Sequence, residues 1–306
     1  IRDAQESRGL GDVYKRQRYR WLLGCCLFLS IGMLWAADEP DLRMLQQKAA
    51  QSRDMEGYVG VCKYLYQTEE NPELLLLYAD SIHQLATKSK KPEQLVEYYI
   101  WASEGNFIKG DFQQGYALKR KAIALAEKAG LKFAISQSCC DMGYYCNVDA
   151  RYDSARYYFR KGLEAGEDLS EAGEACRTML TNYASSFLFE GKTDSALVYT
   201  IRASERSAAD KDTAMLIENL NQLGTIYRRK KDLENCITNF EQALHLCELR
   251  GNHNAVAFIY GNIATAYCDW NRPGDAIPFS EKAVEYALKT GNKRRIGTCY
   301  VNLGAI

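Results

Sequence analysis

The chain has 306 residues with 39 basic and 39 acidic side chains, so a strongly electrostatic partner such as duplex nucleic acid is not expected. Only five Pro are present, and no run of Val or Ile alternates at period two, which favours helices over sheet. The 11 Cys form no C-x-x-C pair and no Cys/His cluster with zinc-ligand spacing. They read as small apolar packing residues, with Cys139 and Cys146 the one pair to check for a bond.

Asp12-Val13-Tyr14-Lys15-Arg16-Gln17 looks like the translation of a transposase mosaic-end adaptor. Residues 1–17 are accordingly set apart from the fold as a sequencing-adaptor segment. Arg18 and Arg20 then precede an uncharged apolar run from Trp21 to Trp35, followed by Ala36, Ala37 and the acidic Asp38-Glu39. Basic, apolar, small, polar is the order of a secretory signal peptide, and the run is short for a membrane span. Residues 18–37 are expected to be a signal peptide, cleaved near Ala36 or Ala37. Residues 38–306 are expected to form one helical repeat array. It ends inside the first helix of a repeat, which predicts that the array is truncated at the C-terminus.

Asp41 to Arg53 can cap that array. Met55 to Tyr66 and Pro72 to Lys88 form a divergent helix pair, and Pro92 opens the next helix, where its missing N–H costs little. From there a register repeats. Small residues stand at Ser103, Gly143, Ala184, Gly224, Ala264 and Gly304, at spacings of 40 or 41. Three positions later come Phe187, Tyr227 and Tyr267 in the last complete units, with Asn106 and Cys146 in the earlier ones. Twelve positions after the small residue come Gly115, Ala155, Ala196, Cys236 and Ala276, and seven further on Ala122, Gly162, Ala203, Ala243 and Ala283. A small residue lets two helix backbones cross closely, and the aromatic fills the space beside it. Small residues seven apart share one face of the second helix.

Leu223-Gly224-x-x-Tyr227, and Ala264-x-x-Tyr267 with Ala276 and Ala283, resemble the tetratricopeptide repeat family. The likeness extends from about Glu73 to Ile306. The period of about 40 exceeds the usual 34, and the extra residues are assigned to longer second helices such as Ala276 to Lys289. A 40-residue helical period also fits HEAT repeats, but the small and aromatic positions favour the tetratricopeptide reading. The resemblance implies an all-α fold, a right-handed α-solenoid of antiparallel helix pairs, with Gly143, Ala155, Ala184, Ala196, Gly224, Tyr227, Ala243, Ala264, Tyr267, Ala276 and Ala283 as packing positions.

The family's first helices line a concave groove. The resemblance therefore implies groove positions at Glu104, Phe107, Tyr144 and Asn147, then at Ser185, Phe189, Asn221 and Thr225, and finally at Arg228, Arg229, Thr265 and Asp269. Arg228-Arg229-Lys230-Lys231 is read as a charged helix end, or more sharply as a contact for an anionic peptide.

Paired carboxylates fall at turns, the three His are isolated, and phosphate-binding glycine loops are absent. No catalytic residue, cofactor or metal is therefore expected, and no turnover within this fragment. The expected partner is a peptide or protein segment in the groove, with membrane contact only through the signal segment or a missing downstream span. The expected function is a non-catalytic scaffold, exported to the periplasm. It resembles the extracytoplasmic sensor region of a truncated membrane signalling protein, tethered to the inner membrane, with a histidine kinase or helix-turn-helix output beyond the fragment. The alternative is a free periplasmic adaptor or assembly protein.

Overall fold

The computed structural model describes residues 42–68 and 71–306. The expected adaptor segment, 1–17, and signal peptide, 18–37, lie outside the described residues. Within them the protein is all-α, an α-solenoid of antiparallel helix pairs without strands. No described helix is long and apolar enough to cross a membrane.

The helices in order are α1 (Leu42–Ser52), α2 (Met55–Thr68), α3 (Pro72–Ser89), α4 (Pro92–Lys109), α5 (Phe112–Ala129), α6 (Lys132–Val148), α7 (Tyr152–Gly166), α8 (Gly173–Glu190), α9 (Thr193–Ala209), α10 (Thr213–Arg229), α11 (Leu233–Leu249), α12 (His253–Asp269), α13 (Pro273–Thr290) and α14 (Lys293–Gly304). A 3₁₀ turn, Ser170–Ala172, precedes α8. The helices fall into two compact units. The N-terminal unit holds residues 42–147 and Asp153–Met179, and the C-terminal unit holds Val148–Tyr152 and Leu180–Ile306.

In the C-terminal unit each helix from α9 to α14 packs on the next, and α10 also touches α12, as α12 touches α14. In the N-terminal unit α1 to α5 pack in succession, and α2 touches α4. Contact between every second helix marks a stack of repeats rather than a closed bundle. First and second helices are equally long, 17 residues each in α10 and α11. The extra length over a 34-residue repeat is thus shared, not confined to the second helix.

Each pair closes around one size-matched contact. The side chain 16 positions after the small residue of the first helix lies on the second helix, fully or almost fully buried. Phe159 faces Gly143, and Phe240 faces Gly224, where an added Cβ would meet the Phe240 ring at 2.6 Å. Where the small residue is alanine, as at Ala184 and Ala264, the position holds the smaller Thr200 and Ser280. Gly143, Ala155, Ala184, Ala196, Gly224, Ala243, Ala264, Ala276 and Ala283 are buried, and Tyr227 and Tyr267 half-buried. Tyr267 stacks on Phe279 with ring centroids 5.4 Å apart.

The turns repeat too. Between paired helices the residue seven after the small one has positive φ: Gly110 (91°), Ala150 (57°), Gly191 (84°), Lys231 (62°) and Asn271 (55°). The next residue's N–H donates five residues back, as Asp232 does to the Tyr227 carbonyl at 3.0 Å, the longer bond of a Schellman close. Asp111, Asp212, Asp232, Asn252 and Asn292 then cap the following helices by accepting from the backbone N–H three residues on. All nine described Cys are free, and Cys139 and Cys146 are buried separately; Cys139 lies among apolar surroundings that push its thiol up to about 12.

Candidate functional site

The expected groove residues belong to two different units. In the N-terminal unit, α4 carries Glu104 and Phe107, both buried. Lys119 of α5, wholly buried, pairs with Glu104 and with Asp141 at 3.0 Å. The Tyr145 hydroxyl donates to Glu104 at 2.7 Å, and its ring stacks on Phe107 at 3.6 Å. Burial lowers the affinity of Lys119 for its proton, but Asp141 and Glu104 more than offset this and hold it above the ordinary lysine value. Burial pushes the Glu104 carboxyl up against the pull of Lys119. Glu104 and Phe107 are therefore internal joints between α4, α5 and α6, not an open face. The face one and four residues after Ser103 is covered here by α6. Asn147 is buried as well, and Tyr144 is half-buried.

In the C-terminal unit the first helices α8, α10 and α12 present a polar lane. Asn221 and Ser185 are buried, Thr225, Arg228 and Phe189 half-buried, and Arg229, Thr265 and Asp269 exposed. The Asn262 amide donates to Asn221 Oδ1 at 2.7 Å. Arg229 Nη1 donates to the Leu188 carbonyl at 2.7 Å, and Arg228 Nε lies 3.5 Å from Asp269. All three links join residues 41 apart, so one helix register sets the lane. Gln222 donates to Ser185 at 2.7 Å and accepts from Thr200 at 3.3 Å. Thr181 donates to Asn219, whose amide donates to Ser207 at 3.1 Å. These rungs satisfy most of the lane's buried polar groups and fix its side chains before any ligand arrives.

The basic run is less available than its sequence suggests. Arg228 pairs with Asp269, Lys230 with Asp194, and Lys231 lies 6.0 Å from the centre of the Trp270 ring. Arg229 is exposed, as are Lys230 and Lys231, and its bond to Leu188 leaves guanidinium donors over. Partial burial, and then the neighbouring Arg228, draw its basicity down.

Two residues that matter here were not anticipated. Lys119 sits in a Lys-Arg-Lys run, yet falls between Gly115 and Ala122 on the small-residue face, which was the available signal. Glu218 lies one turn before Asn221 and Gln222 in the lane and is 5 % exposed. Burial, with the charge of Asp212, pushes its carboxyl up to about 8. Among the described residues no three His, Cys, Asp or Glu side chains are placed to hold a metal.

A sequence model of the tetratricopeptide repeat matches residues 212–289, the stretch from the α10 cap to α13. No curated protein sequence matches. Several solved structures share the fold. Aspartyl phosphate phosphatase F from Bacillus subtilis is 15% identical with a TM-score of 0.62, covering 94% of this chain and 78% of its own. The apo form of the quorum sensor NprR from B. thuringiensis is 16% identical with a TM-score of 0.60, covering 96% and 80%. BtubC from P. vanneervenii is 16% identical with a TM-score of 0.61, covering 76% and 92%. The fold is thus that of a helical-repeat protein. Residues 212–289 match the tetratricopeptide repeat, and the likeness of the rest of the chain to these structures is one of fold.

Proposed function

We propose that the chain is a non-catalytic scaffold that binds an extended peptide or protein segment along the polar lane of α8, α10 and α12. The observation that carries this reading is the set of amide and guanidinium groups linked at a 41-residue interval, with hydroxyls beside them. Asn221 and Asn262 stand side by side, with Thr225, Thr265 and Arg229 opening to solvent beyond them. Side-chain amides at regular intervals suit the alternating N–H and C=O groups of an extended backbone. The quorum sensor NprR, whose fold the chain shares, is a sensor by description, in keeping with a ligand-binding role.

A random peptide library displayed on phage and panned against the whole chain tests this. Enriched peptides should bind in calorimetry, and Asn221→Ala should weaken them by about tenfold while the helical spectrum stays unchanged. Failure to enrich any sequence, or enriched peptides indifferent to Asn221, overturns the assignment.

The scaffold is further proposed to act outside the cytoplasm, as the sensor part of a membrane signalling protein. The support is the order of charge and hydropathy across residues 18–37. Fusing residues 18–41 to alkaline phosphatase should give activity on the far side of the bacterial inner membrane. Glu in place of Leu23 and Leu27 should abolish it. An inactive unsubstituted fusion removes the export reading.

A further inference from the structure

Glu218 is the feature of the lane that peptide-backbone recognition does not account for. It is 5 % exposed, and among the described residues no side chain donates to it or pairs with it. The charge that acts on it is another acid, Asp212 at the cap of α10. A buried carboxylate is ordinarily paired, hydrogen-bonded or bound to a cation. Asn221 and Gln222 in the next turn make their bonds elsewhere: Asn221 Oδ1 accepts from Asn262, and Gln222 bonds Ser185 and Thr200.

Its position supplies the rest. Ala214, Glu218, Thr225 and Arg229 follow at i−4, i, i+7 and i+11, one stripe of α10. Ala214 and Thr225 are half-buried and Arg229 exposed, so the stripe reaches the surface one turn before the carboxyl and again two turns after it, past the buried Asn221 and Gln222. Forty residues on, at the equivalent place in the α12 lane, stands the half-buried Phe258, whose ring face already carries the Arg295 guanidinium at 5.3 Å. A carboxyl and an aromatic face at matching register are what an ammonium or guanidinium group seeks.

Building on the peptide-binding reading, we propose that Glu218 is the anchor for a Lys or Arg side chain of the bound peptide. Arg229, eleven residues along the helix, takes an acidic group of the same peptide. Eleven helical residues span about 16 Å, and an extended peptide covers that in about five residues. The ligand is thus a dipolar segment, its basic and acidic side chains about five positions apart. A carboxyl that stays protonated until a cation arrives spares the empty lane a buried charge and rejects peptides with an apolar residue there.

The test is library panning against three proteins: the unaltered chain, Glu218→Gln and Arg229→Gln. The unaltered chain should select a basic and an acidic residue about five apart. Glu218→Gln should lose only the basic preference and Arg229→Gln only the acidic one. A selected peptide should then bind Glu218→Gln about tenfold more weakly than the unaltered chain, and its norleucine analogue should not discriminate between them. Gln matches Glu in shape, so folding is retained, and Glu218→Asp should keep the basic preference with reduced affinity. Selection of peptides without a basic residue, or with the same basic residue on Glu218→Gln, overturns the anchor and leaves peptide binding standing. No selection by any of the proteins removes peptide binding and the anchor with it.

Discussion

Glu218 and Lys119 are two buried charges resolved in opposite ways. Glu218, unpaired, has its carboxyl raised from an ordinary 4.5 to about 8. The unfolded chain therefore loses this proton first, and stability falls as pH rises from about 4.5 to about 8. Glu218→Gln should remove that slope. Its thermal midpoint should match the unaltered chain near about pH 4 and exceed it at about pH 8; parallel melting curves across this range would show that the carboxyl titrates normally. Lys119 instead holds two acids, Glu104 and Asp141. Lys119→Met leaves Glu104 in the interior without a counter-charge, and Asp141 beside it, and should cost about 3–5 kcal/mol in urea unfolding. Neither role was legible in advance. A charged residue reads as solvated unless its helix face is already known, and Glu218 sits in Met215-Leu216-Ile217-Glu218-Asn219-Leu220, where both faces look buried. The packing positions were easier, because a small residue recurring at a fixed interval has few explanations other than close crossing.

A helix pair is specified by matched volumes and a fixed turn. Glycine in the first helix goes with phenylalanine sixteen residues on, at Gly143 with Phe159 and Gly224 with Phe240. Alanine goes with Thr200 and Ser280, and Ser103 with Lys119. Gly224→Ala should cost about 1–3 kcal/mol because its Cβ meets the Phe240 ring. Combining it with Phe240→Thr, the alanine–threonine pairing of α8 and α9, should cost less than the two single changes together, by about 1 kcal/mol in a double-mutant cycle. Strict additivity would mean that the two positions do not share one space. The sequence showed the small partner of each contact and missed the large one, since its identity changes from repeat to repeat. The turn is simpler to test. Ala150 occupies a left-handed conformation that other turns give to glycine. Ala150→Gly should raise stability by about 1 kcal/mol, read from the same unfolding curves.

At the scale of the whole molecule, the inter-helix side-chain links described here join residues no more than 41 apart. Locality of that kind makes an array whose stability is a sum of repeats and neighbouring interfaces. It also explains why the fold was readable from one period while the division into two units was not. That division falls inside α8, between Met179 and Leu180, with no proline, glycine or change of composition at the step. The groove was legible only in part for a related reason. A helix face predicted to be open is open only where the next first helix leaves it so, as at Thr225, Thr265 and Arg229, and α6 closes it at Glu104 and Phe107. Locality carries a measurable consequence. Phe240→Ala empties the centre of the α10–α11 pair and should cost about 3–5 kcal/mol. Hydrogen exchange should accelerate in α10, α11 and α12, while amides of α4 and α5 keep their protection. Uniform acceleration from Pro92 to Thr290 would show instead a single cooperative unit, in which a ligand held on the α10 lane would stabilise every helix equally.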